Sequence, residues 1–109
     1  MNPEPSSLDK AKNNREIVRT DNVLVREMVL EKDASTEWHH HSEVSDYFAC
    51  LTGMVRVETQ SPDETFSLHP GETAEVKPPH VHRVINVHDG MSVYLLVQGV
   101  GKYGFIRQI

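Results

Sequence analysis

Three consecutive histidines, His39, His40 and His41, stand in the stretch WHHHSEVSDYF, with Glu43 and Asp46 close behind. In an extended chain, side chains two apart share a face and neighbours alternate. His39 and His41 then point one way and His40 the other. Two imidazoles one pleat apart can converge on one ion, and neutral imidazole is the commonest metal ligand. His82, in the later stretch HRVIN, could supply a third nitrogen from across a barrel. Two or three histidines with a carboxylate and open positions suit a divalent transition metal: Fe, Mn, Ni, Zn or Cu. The ligands do not choose among these, because affinity order and cellular supply decide as much. The plainer alternative is an exposed histidine-rich loop that touches metal only adventitiously. Spacing alone does not say whether either acid joins the histidines.

Other residues carry weaker signals. Glu43 reads as a solvated loop charge. His69 precedes a Pro-Gly turn, and His88 adjoins Asp89-Gly90; both read as exposed turn residues. Trp38 shares its parity with His40 and is expected to pack outward. Asp46, Phe48 and Cys50 share one face of their stretch, so Phe48 and Cys50 line the interior if Asp46 looks inward. Cys50 reads as an inert buried thiol, since nothing near it in sequence would lower its pKa. Tyr94, in the apolar run MSVYLLVQ, lines the cavity or, on the stronger precedent for aromatics in apolar strands, packs in the core.

These side chains need a scaffold of strands. From Glu16 onward the chain is a series of short runs rich in Val, Leu and aromatic residues, among them NVLVREMVLE, MVRVETQ and MSVYLLVQ. Turn signals fall at Thr52-Gly53, Ser61-Pro62-Asp63, His69-Pro70-Gly71 and Asp89-Gly90. Asp89-Gly90 between apolar runs is a hairpin signal, and Gly53 and Gly71 are expected to take positive φ. Many short strands at regular spacing predict an all-β sandwich or barrel. Residues 1–15 read as a polar N-terminal arm and 16–109 as the barrel domain. The 109 residues carry 11 Lys+Arg against 16 Asp+Glu, a net charge of −5 without a basic patch, so nucleic acid is an unexpected partner. No apolar run approaches the roughly 20 residues of a membrane span, and the start is too polar for a signal peptide. One cysteine forms no intrachain disulfide, which suits the cytoplasm. Edge strands of small barrels pair between subunits, so a homodimer is expected, with NVLVREMVLE as the candidate edge.

The spacing of these residues resembles the cupin pattern. The first cupin motif is H-x-H, three or four residues, E, six residues, G; here it reads His39-His40-His41, four residues, Asp46, six residues, Gly53. The second is G, five residues, P-x-G, two residues, H, three residues, N; here it reads Gly71, five residues, Lys77-Pro78-Pro79, two residues, His82, three residues, Asn86. The resemblance covers residues 16–107 and implies a small RmlC-like jelly roll, a double-stranded β-helix of two antiparallel sheets. It also implies a metal at the barrel mouth held by His39, His41 and His82. Asp46 stands where the pattern has Glu and is one methylene shorter, a loss of roughly 1.5 Å of reach. It binds the ion directly if its strand moves inward; otherwise it acts through water or hydrogen-bonds a ligand histidine. Lys77 and Pro79 replace the pattern's Pro and Gly, which brings His80 two residues before His82 as a possible cavity residue. Asn86 reads as a structural hydrogen-bonder.

Two functional readings follow. One is a metalloenzyme acting on an oxygen-rich small molecule, with dioxygenase-like or isomerase-like chemistry. The other is a metal- or small-molecule-binding or sensing module without catalysis, since fold does not imply function. Arg83 is the one basic residue beside the motifs after His82, and it lies on the opposite face, which disfavours a nucleotide-sugar substrate.

Overall fold

A computed structural model describes residues 14–41 and 44–99. Eight strands make up its regular structure: β1 (Arg15–Arg19), β2 (Val23–Leu30), β3 (Ser45–Thr52), β4 (Val55–Thr59), β5 (Glu64–Leu68), β6 (Thr73–Val76), β7 (His82–Asn86) and β8 (Ser92–Gly99). They form a five-stranded sheet ordered β1-β2-β8-β3-β6 and a three-stranded sheet ordered β5-β4-β7. All pairings are antiparallel. This is the jelly-roll arrangement that the motif spacing implies. Among the described residues there is no helix, and none long and apolar enough to cross a membrane.

Period-two patterning builds the interior. In β4, Val55, Val57 and Thr59 point inward; in β7, His82, Val84 and Asn86 do; in β8, Ser92, Tyr94, Leu96 and Gln98 do. Met28, Leu30, Phe48, Leu68 and Val76 complete the core between the sheets. Polar residues sit at both ends of the inward rows, His82 and Gln98 at one and Asn86 and Ser92 at the other. The interior is therefore apolar in the middle and polar at each end.

Three expectations change. NVLVREMVLE is not an edge: β2 pairs with β1 on one side and β8 on the other, so the edge is β1. The short run from Arg15 is itself extended enough to pair, which its charged composition concealed. Asp89-Gly90 closes no hairpin, because β7 and β8 lie in different sheets and the turn carries the chain between them. Residues 36–41 form no continuous strand; the segment and the residue before it make only isolated bridges to β7, at Ser35–Ile85 and His39–His82. Glu43 and most of the N-terminal arm (residues 1–13) lie outside the described residues.

Gly53 takes φ 79° at the crossing from β3 to β4. A Cβ there would collide with the Ser92 hydroxyl and lie 2.9 Å from its Cβ. Gly53→Ala therefore combines left-handed strain with overpacking, and it should cost about 3 kcal/mol. Thermal denaturation should show a midpoint lower by roughly 10 °C or more.

Candidate metal centre

Reciprocal backbone bonds clamp the first and last histidines side by side. His39 N donates to His82 O at 3.0 Å and His82 N to His39 O at 2.8 Å. Their ring centroids lie 4.4 Å apart. His41, two residues on, brings its ring within 5.3 Å of His39 and 5.8 Å of His82. His40 is exposed, as its parity requires. Asp46 opens β3 on the opposite sheet, directly across from Gln98 of β8. The site thus bridges both sheets at one end of the barrel.

The aspartate reaches. Asp46 Oδ2 lies 2.8 Å from His82 Nε2 and 3.1 Å from His41 Nε2. One ligand atom from each of His39, His41, Asp46 and His82 falls within 4.8 Å of the others. Gln98 Nε2 donates to Asp46 Oδ1 at 2.9 Å, which occupies that oxygen and turns the other toward the imidazoles. Asp46 and His82 are 1% and 2% exposed, whereas His39 and His41 are half-buried and form the side open to ligand.

The outward nitrogens settle the tautomers. His82 Nδ1 lies 2.9 Å from His80 O, and His39 Nδ1 lies 2.7 Å from Glu37 O. A carbonyl only accepts, so each Nδ1 carries the hydrogen and each neutral ring is left with a lone pair on Nε2. At His82 that lone pair faces a carboxylate oxygen 2.8 Å away. Two lone pairs at this distance repel unless a proton or a metal cation lies between them. Nitrogen and oxygen donors about 2.1 Å from one ion and at right angles are about 3.0 Å apart. The spacings of 2.8 and 3.1 Å around Asp46 Oδ2 fit that arrangement.

Electrostatics agree. Burial pushes the Asp46 carboxyl up, but the His41 ring, the Gln98 amide and, with a proton or cation between the two groups, His82 outweigh it and hold the group well below the usual carboxylate range. Burial lowers His39, keeping it neutral, while the hydrogen bond to Asp46 raises His41. The donor set of three imidazoles and a carboxylate therefore fits a divalent transition metal.

The remaining sequence candidates fall around this centre. Phe48 sits edge-on beneath His82, with ring centroids 5.9 Å apart. Tyr94 is fully buried behind Phe48, at 6.0 Å, in the core; burial and the nearby Asp46 charge raise its hydroxyl. Cys50 is buried too, its Sγ–H directed at Thr52 O, and burial raises its thiol. The His80 carbonyl fixes His82, while its ring lines a separate cleft of about 180 Å³ with Phe66 and Glu75 between β5 and β6. Arg83 points away, its guanidinium 4.5 Å above the Trp38 ring and its Nε donating to Glu58. Gln98 escaped the sequence reading. Its signal was a polar side chain at the inward parity of an otherwise apolar strand end.

Comparison with known proteins accords with this geometry. Residues 26–98 match the cupin domain family. KdgF from Halomonas sp. superposes with a TM-score of 0.73 at 14% identity, over 84% of this chain and 81% of that one. A conserved protein with a double-stranded β-helix domain from Klebsiella pneumoniae gives a TM-score of 0.73 at 19% identity, over 93% and 85%. A cupin domain from Bordetella pertussis gives a TM-score of 0.65 at 24% identity, over 81% and 92%. No curated protein sequence matches the chain.

Proposed function

The chain belongs to the cupin family, and on that premise we propose that it holds one divalent transition metal through His39, His41, His82 and Asp46 and acts there as an enzyme on an oxygen-rich small molecule. The observation that carries this reading is that the Glu37 and His80 carbonyls accept from Nδ1 of His39 and His82, which aims two Nε2 lone pairs at the cluster holding the Asp46 carboxylate. Four donors leave positions open on an ion that takes five or six. When bound, the metal supplies Lewis acidity toward a carbonyl or enolate oxygen. The chain supplies the rest. Gln98 orients Asp46, the backbone clamp fixes His39 against His82, and Phe48 excludes water from beneath the site. The half-exposed edges of His39 and His41 leave the approach for a ligand. A homodimer in the cytoplasm completes the reading, in keeping with the single buried thiol.

Metal-stripped protein titrated with Fe(II), Mn(II), Ni(II), Zn(II) and Cu(II) tests it. One equivalent should bind, and at a hundred-fold excess over Kd the unfolding midpoint should rise by about 10 °C or more. Loaded protein should then turn over a member of a panel of 1,3-dicarbonyls and keto-sugars, followed by O₂ consumption and product analysis. Absence of stoichiometric binding overturns the metal centre. Binding without turnover overturns the enzyme and leaves the sensing module.

A further inference from the structure

Two of the four donors, His39 and His41, come from a segment that is not a strand. Its backbone meets β7 at Thr36 and again at His39. Thr36 N donates to Val84 O at 2.9 Å, and Thr36 Oγ1 accepts from Val84 N at 2.9 Å. The reciprocal bonds of His39 and His82 follow. Parity sorts the side chains: His39 and His82 face the interior, so their neighbours Trp38 and Arg83 face out. There the Arg83 guanidinium carbon lies 4.5 Å from the centre of the Trp38 ring. Arg83 is itself held. Glu58, its cross-strand partner on β4, accepts from Arg83 Nε at 3.0 Å. Arg56 Nε lies 3.2 Å from the other carboxylate oxygen of Glu58. An outer row of Trp38, Arg83 and Glu58 thus backs the inner pair of His39 and His82, and it ties the ligand-bearing segment to β7 and β4.

We propose that Arg83 and Trp38 are positioning residues for the metal centre: their stack latches the segment that carries His39 and His41, and so sets how fast the metal enters and leaves. The inference rests on the metal centre proposed above. Burial gives the reason. Asp46 and His82 are 1% and 2% exposed, and the half-buried His39 and His41 stand on the side that solvent reaches. A small ligand meets the ion past the imidazole edges, but the ion itself reaches Asp46 and His82 only when those imidazoles swing aside. That opening breaks the His39–His82 backbone bonds and the outer stack together. A guanidinium over a partly exposed tryptophan, itself bound to a carboxylate, makes the open state about five-fold rarer. While the open state is a minor one, this changes rates and leaves affinity alone. Entry and exit pass through the same open state, so both scale with its population and their ratio, Kd, does not. Loss of a ligand does the reverse and raises Kd. That contrast separates positioning from ligation.

Amide exchange of the metal-free protein, followed by NMR, reads the latch directly. Arg83→Met keeps a long side chain and loses its charge; Trp38→Leu loses the ring. Each should speed exchange at the His39 and His82 amides about five-fold, and the double variant no further, since the two residues share one contact. Trp38→Phe keeps a ring face under the guanidinium and should stay within about two-fold of the parent. Lys32→Met removes an exposed ion pair with Asp89, 3.0 Å long, at the other end of the barrel and should move neither amide. In the Zn(II)-loaded protein, release to excess EDTA should be about five-fold faster in Arg83→Met and Trp38→Leu. Uptake of Zn(II) by the stripped variants should speed up equally, with Kd within about two-fold of the parent. Unchanged amide exchange overturns the latch. Faster release with unchanged uptake, and hence a higher Kd, overturns it too, because the variants then damage the ligand set. A parent protein that takes up no metal overturns the metal centre and, with it, the control of metal exchange; amide exchange in the metal-free variants still decides whether the stack holds the segment.

Discussion

His82→Ala should abolish stoichiometric metal binding, weakening it well beyond the 10–100-fold typical of losing a group that merely supports a ligand. The reason is geometric. His82 is the one imidazole in the cluster that is almost fully buried, it lies closest to Asp46 Oδ2, and its tautomer is fixed by the His80 carbonyl. Alanine removes a donor that arrives already oriented. No neighbour can move in, because His39 is clamped by its own backbone bonds and His41 already contacts Asp46. His39→Ala, at a half-exposed position, gives the same loss with less disturbance of the core and separates lost ligation from lost folding. Gln98→Leu keeps all four donors but frees Asp46 Oδ1, so its effect should fall within the 10–100-fold range. His40→Ala is the control and should change nothing. Isothermal titration with Mn(II) and Zn(II), with elemental analysis of the purified variants, reads all four. Retention of metal by both His82→Ala and His39→Ala would sink the proposed centre.

How much of this could be seen beforehand follows from what each residue depends on. The split of His39 and His41 from His40 needed only local parity, and it survives even though the segment pairs merely at isolated points. The fold class and the convergence of His82 followed from motif spacing, which constrains residues far apart in the chain. Asp46 posed a question of reach that spacing could not answer. Its carboxylate lies among the imidazoles because β3 runs opposite β8 and Gln98 steers the side chain, a cross-strand relation without a local mark. The His80 and Glu37 carbonyls that fix the tautomers are backbone groups, so no residue type announces them. The turn at Asp89-Gly90 misled for a related reason: turn chemistry reports that the chain reverses, not which sheet it joins next. The outer face of β8 was readable as apolar, but only the sheet order shows that no described strand covers it.

Asn86→Ala should be the most destabilising polar substitution in the chain, and it should leave the metal site untouched. Its side chain is 4% exposed and ties three segments together. The amide nitrogen lies within hydrogen-bond range of Leu30 O at 3.0 Å, Glu31 O at 2.9 Å and Gly90 O at 2.8 Å. The amide oxygen accepts from Ser92 Oγ at 2.7 Å and His88 N at 2.9 Å. Ser92 Oγ in turn accepts from Met54 N at 3.1 Å, which carries the network to the turn at Gly53. Alanine strands several buried donors and acceptors, each costing about 1–3 kcal/mol when left unpaired. Some will recruit water, so a net loss of about 3–4 kcal/mol is expected, near 15 °C in the unfolding midpoint. Asn86→Asp tests whether the amide itself matters. It has nearly the same shape but replaces the donor with an oxygen facing three carbonyls, so it should be at least as harmful as alanine. Both variants, measured folded at low temperature, should bind metal like the parent protein, since four residues of strand place Asn86 about 13 Å from His82. Sites that far apart add, so the double variant Asn86→Ala with His82→Ala should show the sum of the two stability losses within about 0.5 kcal/mol. A shortfall well beyond that would mean that the two polar ends of the barrel are coupled through its apolar middle.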